Sequence, residues 1–123
     1  ISEAMNYARE RLAFGQPISR FQSIGHPLVA MESEIAAARL LALQAAERFD
    51  REHPGASSSA AMAKLIGARV ANRAADVAVQ TLGGAGYVEE TLVAMHYRDA
   101  RILRIGGGSD EVQMEILVKR LGL

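Results

Sequence analysis

Residues 28–49 read LVAMESEIAAARLLALQAAERF, and Leu28, Met31, Ile35, Ala38, Ala42, Ala45 and Phe49 recur in it at alternating steps of three and four. That period lays a single apolar stripe along a long α-helix, the seam of a helical bundle. Two starts are open for this helix. A cap at Ser19 puts Pro27 inside it, whereas a start near Ser23 leaves the proline in the first turns. Downstream, His53, Pro54 and Gly55 form a break, and Ser57 to Ser59 offer caps for the next helix. Its seam of Met62, Ile66, Val70, Ala74 and Val77 ends at Gly83 and Gly84. From Ser57 to Leu82 this second long helix would measure roughly 39 Å at about 1.5 Å per residue, which matches its predecessor as an antiparallel pair requires.

The flanks continue the pattern. Ile1, Ala4, Met5, Ala8 and Leu12 share a helical face that Gly15 and Pro17 stop, and Phe14 to Gln22 reads as a loop. A shorter helix is predicted over Thr91 to Ile105 and a last one over Asp110 to Leu121, with Ser109 as its cap and Asp110 and Glu111 in the positive first turn. The fold class is therefore all-α, an up-and-down bundle in which residues 1–123 form one domain without repeat or linker.

Composition agrees. Half of the 123 residues are hydrophobic but only 5% aromatic, and Ala, Leu, Ile and Val supply most of that content, as close-packed helices need. Fourteen Lys and Arg balance fourteen Asp and Glu, so no global field points to nucleic acid or an anionic membrane. The absence of cysteine removes disulfides and thiolate chemistry and agrees with a reducing compartment. Arg39 and Gln44 interrupt the richest apolar stretch before the roughly 18 residues of a transmembrane segment accumulate, and a soluble protein is expected. Helical periodicity already runs at Ile1, which reads as a piece excised from a longer chain. No metal site is expected, because His26, His53 and His96 lie far apart without an i, i+4 ligand partner.

Three segments exceed what a bundle requires. In the first, Arg11 to Gln22, a helix end leads into a loop where Arg11 can fork onto a phosphate and Phe14 can cover an aromatic heterocycle. A surface arginine, a hydrophobic plug and an ordinary turn are the plain alternative. In the second, Gln80-Thr-Leu-Gly83-Gly84-Ala-Gly86-Tyr87, one glycine serves as a C-cap, while the others let a ligand approach the backbone with Gln80 beside it. The third runs from Tyr97-Arg98-Asp99-Ala100-Arg101 to Gly106-Gly107-Gly108-Ser109-Asp110-Glu111. A glycine loop entering a helix N-terminus leaves free N–H groups for an anion, a carbonyl oxygen or a flavin edge. Its plain reading is a serine-capped corner with Arg98, Asp99 and Arg101 in salt bridges.

In this order and spacing, the three segments resemble the C-terminal domain of flavin-dependent acyl-CoA dehydrogenases over essentially the whole chain. The markers are Arg-x-x-Phe-Gly-x-Pro-Ile with Phe-Gln at 11–22, Gln-x-x-Gly-Gly-x-Gly-Tyr at 80–87, and Tyr-Arg-Asp-Ala-Arg before the glycine corner. The resemblance implies a helical third domain of a three-domain subunit that assembles as a homo-oligomer, dimer or tetramer, and binds FAD partly across the subunit boundary. Arg11, Phe14, Gln22, Gln80, Gly83 and Gly84 would then contact the adenosine and pyrophosphate of a neighbouring subunit's FAD, with Ser109 and Glu111 against the FAD of their own subunit.

The implied reaction oxidises an acyl-CoA to a trans-2-enoyl-CoA, with a glutamate taking the α-proton, hydride passing to FAD and an electron-transferring flavoprotein as acceptor. Many members carry that glutamate in Tyr-Glu-Gly-Thr, whereas this chain has Gly106-Gly107-Gly108-Ser109, so Gly107 holds the usual position of the base. The isovaleryl-CoA and long-chain branches also lack it there and supply it from the helix before the Arg-x-x-Phe loop. No catalytic residue is therefore expected in this chain, the base falls upstream of Ile1, and Gly106 to Gly108 give space to a branched or bulky acyl group, with Gly107 and Gly108 against the substrate. Glu3 and Glu10 lie too close to Arg11 for that role. This piece alone is expected to be inactive. The rival reading is a helical self-association module of an inactive homologue. The setting implied is bacterial cytoplasm or an organelle matrix.

Overall fold

The computed structural model describes all residues, 1–123. Helix α1 (Ser2–Glu10) leads through a hairpin of β1 (Leu12–Ala13) and β2 (Gln16–Pro17) and a single 3-10 turn at Ile18–Arg20 into α2 (Gln22–Asp50). Then come α3 (Ala56–Leu82), the one-turn α4 (Gly84–Tyr87), α5 (Leu92–Ile102) and α6 (Asp110–Leu121). The all-α bundle expected from the periodicity is the fold observed. No helix is long and apolar enough to cross a membrane.

Helices α2 and α3 run antiparallel. Arg48 Nη1 donates to Ser59 Oγ at 2.8 Å, Arg73 pairs with Glu34, and Leu28 packs in one cluster with Ala78 and Leu82, so late residues of one helix meet early residues of the other. At 29 residues, α2 is about 43 Å long. It starts at Gln22, close to the later of the two expected starts, and Pro27 lies just past its first turn, where it has no N–H to offer the Ser23 carbonyl.

Helix α3 is the hub, packed by α1, α2, α5 and α6. Its buried line of Ala61, Leu65, Ala68, Ala74, Ala78 and Leu82 is mostly alanine, which lets neighbouring backbones approach closely. This line is displaced from the expected seam. Met62 is exposed, and Ile66, Val70 and Val77 are half-buried, because a helix surrounded by neighbours gives its innermost line to the smallest side chains. On α2, Leu28 and Met31 are buried, but Ala42 and Phe49 face solvent while Leu41 and Arg48 turn inward. A straight helix of 3.6 residues per turn drifts off a strict 3.5-residue repeat.

Other local expectations change too. The serines at 57–59 do not cap α3. The turn closes earlier, with Gly55 as N-cap and His53 Nδ1 accepting from Gly55 N at 2.9 Å, so the serines fall inside the helix. Helix α5 ends at Ile102, three residues before the expected Ile105, while Thr91 and Ser109 cap α5 and α6 through their hydroxyls. Arg98 pairs with Glu89, not with Asp99.

Candidate functional site

The first segment is a built feature. Phe14 and Gly15 have φ of 53° and 80°, the two consecutive positive values that a type I′ turn between paired strands demands. Glycine takes that conformation freely, whereas an aromatic residue pays for it. The Phe14 ring is nonetheless 95% exposed, and its recorded ring contact is an edge-to-face approach to Phe21 at 6.0 Å between centroids. Arg11, at the C-terminus of α1, has its carbonyl held by Ile18 N at 2.9 Å and its side chain exposed. Gln22 opens α2, also exposed.

The second segment lies at the far end of α3. The three glycines there have different causes. Gly83 ends the helix with φ 60°, and Gly86 leaves no room for a methyl group, because a Cβ would sit 2.9 Å from both Leu82 Cβ and the Val79 carbonyl oxygen. Gly84 has an ordinary φ and open space beside it, so neither packing nor turn geometry requires a glycine there. Gln80 is exposed one turn earlier. A single apolar cluster holds the two segments at one end of the bundle: Ala4 and Ala8 of α1 pack with Leu28, Ala78, Leu82 and Val93.

The third segment is the glycine corner between α5 and α6. Gly107 and Gly108 have φ of 68° and 90°. Their carbonyls are taken: Gln113 Nε2 donates to Gly107 O at 3.2 Å and to Gly108 O at 3.4 Å, and Lys64 Nζ also donates to Gly108 O. The N–H groups of Gly107, Gly108 and Ser109 have no acceptor in the chain. They form a short row of donors at a helix N-terminus, suited to an anion or carbonyl oxygen. The Ser109 hydroxyl caps α6 by accepting from Val112 N at 3.4 Å, and it also holds the exposed Glu111 carboxyl below its usual range.

Asp110 locks this corner and gave no functional signal in the sequence beyond a first-turn charge. It is 2% exposed, and its Oδ2 accepts from Arg69 Nε at 3.1 Å, Arg104 Nε at 2.9 Å and Arg104 Nη2 at 2.8 Å. Burial raises its pKa, but the hydrogen bonds from Arg104 and Arg69 outweigh that and hold the carboxyl below its ordinary value. One buried carboxylate thus ties α3 to both sides of the corner.

Arg11, Gln22, Gln80, Gly83 and Gly84 line none of the four principal concavities, whereas Phe14 lines a small one of about 300 Å³ with Phe21 and Ile24, and Gly86 and Tyr87 line another beside α5. The structure brings the first two segments to one end of the bundle as an outward surface, not as the walls of one pocket. Gly107, Gly108, Ser109 and Glu111 likewise sit outside those concavities.

Comparison with known proteins identifies the family. The profile of the family described as acyl-CoA dehydrogenase, C-terminal domain, matches residues 1–122. The human mitochondrial short-chain specific acyl-CoA dehydrogenase is 42% identical over 118 residues, covering 96% of this chain and 28% of its own length. The structure of butyryl-CoA dehydrogenase from Megasphaera elsdenii superposes with a TM-score of 0.95 at 40% identity, over 99% of this chain and 32% of that one. A structure described as the FAD complex of PigA gives a TM-score of 0.95 at 30% identity, with 99% and 32% covered. The chain spans about a third of the length of the curated relatives it matches. By sequence profile, identity and fold together, the chain belongs to the acyl-CoA dehydrogenase family and corresponds to its C-terminal domain.

Proposed function

We propose that this domain helps to hold FAD and to assemble the subunits of an acyl-CoA dehydrogenase that oxidises an acyl-CoA to a trans-2-enoyl-CoA and passes its electrons to an electron-transferring flavoprotein. Phe14 carries the reading. An aromatic side chain that is 95% exposed on a backbone of φ 53° is unfavourable for folding alone, and such outliers persist where a ligand uses them. Its ring offers a face to adenine, Arg11 a guanidinium fork to the pyrophosphate, and Gln80 with Gly83 and Gly84 an amide beside open backbone. Because these groups stand on an outward surface, a second body must close over the ligand. A neighbouring subunit of a dimer or tetramer supplies it.

Bound FAD supplies the hydride acceptor. The chain's own corner would offer the free N–H groups of Gly107, Gly108 and Ser109, with Glu111 held by Ser109, to the flavin edge or to a carbonyl oxygen of the substrate. Gly107 has open space where a side chain would stand, leaving room for the acyl group, whereas the space expected at Gly108 is taken, since a Cβ there would stand 2.6 Å from Gln113 Nε2 and 3.3 Å from Val112 Cγ1. It cannot accept a proton, and the buried Asp110 is committed to two arginines. The catalytic base is therefore assigned to the part of the protein upstream of Ile1, and the setting to a bacterial cytoplasm or an organelle matrix.

The test is flavin content and flavin bleaching in the whole protein. Acyl-CoA is expected to bleach the bound flavin anaerobically, and Arg11→Ala combined with Gln80→Ala to lower flavin retention on gel filtration at least tenfold. A double variant that keeps its flavin removes the site assignment, and a loaded protein that no acyl-CoA reduces removes the activity.

A further inference from the structure

The zero net charge of the chain conceals a local clustering of arginines. Between α3 and α5 lies a cleft of about 680 Å³ lined by Arg69, Arg73, Arg98, Arg101 and Arg104, with Asp76 as the one carboxylate in its wall. The counter-charges are not in the lining: Asp110 pairs with Arg69 and Arg104, Glu34 with Arg73, and Glu89, in the adjoining concavity, with Arg98. The buried Asp110 holds Arg69 and Arg104, and every pair leaves further N–H donors on its guanidinium free. Arg101 has no ion-pair partner, and the exposed Tyr97 also lines the cleft. The floor is rigid, since Asn72 Nδ2 donates both to Ala68 O at 2.8 Å and to Ala100 O at 2.5 Å, binding α5 to α3.

We propose that this arginine cleft is a binding site for a phosphate group, either inorganic phosphate or a phosphate carried on a small metabolite. Converging guanidinium forks suit the several oxygens and up to two negative charges of a phosphate better than a single carboxylate, which the fixed pairs already satisfy. The site goes beyond the reading of FAD and acyl-CoA binding. Its lining shares no residue with Arg11, Phe14, Gln80 or the glycine corner.

The experiment titrates the whole, flavin-loaded protein with inorganic phosphate, and separately with a phosphate monoester, by isothermal calorimetry. Saturable binding is expected, weakening about tenfold in Arg101→Ala, the loss of one charge-assisted hydrogen bond, and unchanged in Arg11→Ala. Arg98→Gln, which releases only an exposed pair, provides a second reading with the fold intact by circular dichroism. A monoester that binds more tightly than phosphate identifies the carried group as the ligand, and equal affinities identify the free ion. Three outcomes overturn the proposal: no saturable binding, binding that Arg101→Ala leaves untouched, or binding that Arg11→Ala abolishes, which would place the anion at the flavin surface. Absence of binding together with a changed oligomeric state in Arg101→Glu would instead assign the cleft to a subunit contact.

Discussion

At the scale of single residues, strain and burial separate what folding needs from what a ligand needs. Phe14→Asn puts the residue preferred in a type I′ turn at φ 53° and is expected to stabilise the apoprotein by about 1 kcal/mol in urea unfolding. The same change should weaken flavin retention, and a variant that gained stability with unaltered flavin content would leave Phe14 without a role. Gly107→Glu tests the corner. Open space accepts the new side chain, but φ 68° makes it cost about 1 kcal/mol. Flavin binding should persist, and activity should return in a protein whose upstream base has been deleted, whereas lost substrate binding would mean that the carboxylate blocks the pocket.

Asp110→Asn is expected to cost about 2 kcal/mol, less than a fully buried pair would lose because Arg69 and Arg104 remain more than 40% exposed and can hydrate. The folded Asp110 has a lowered pKa, so its contribution is complete above the ordinary value of 3.8 and disappears as pH falls through the lower folded value. Wild-type stability should therefore drop with acid in that window more steeply than that of the Asn variant. Parallel slopes would show that Asp110 is not the titrating group.

At the scale of elements, α3 and its exit decide how closely the others pack. Gly86→Ala places a methyl group 2.9 Å from a backbone oxygen and from Leu82 Cβ, neither of which can move without shifting the end of α3. A loss of about 2 kcal/mol is expected in thermal or urea unfolding, while Gly84→Ala, at an open position with ordinary φ, should be neutral for folding. If Gly84→Ala lowers flavin retention with no change in stability, the glycine is there for close approach of the ligand. Helix type and some helix ends were legible along these elements because apolar period and punctuation are local: α6 begins at its serine cap, and α3 ends at the glycine pair, although α3 starts before its serines and α5 stops short of Ile105. The inward line of α3 was not, since the sequence offers Met62, Ile66 and Val70 as well as Ala61, Leu65 and Ala68, and only the neighbours on every side select the smaller set.

At the scale of the whole molecule, the surface is too large for its mass. A compact monomer of 13.2 kDa exposes about 6,400 Å², whereas this chain exposes 8209 Å². The excess of about 1,800 Å² is more than twice what one partner buries in a standard interface. Val29, Leu40, Leu43 and Phe49 on the outer side of α2, and Leu121 on α6, are among the exposed apolar side chains. The isolated chain is therefore expected to self-associate, with a weight-average mass in sedimentation equilibrium that rises with concentration; a strictly monomeric species would show that these faces need no cover. The sequence by itself determined the helical elements, the bundle and the three segments that mark the family, because each depends on period, capping and short motifs within a stretch of chain. Tertiary structure alone decided that Asp110 clasps the corner through Arg69, that arginines from α3 and α5 converge on one cleft, and that the flavin-marking residues face outward. Those facts depend on distances between residues far apart in the chain, and packing fixes such distances while local pattern does not.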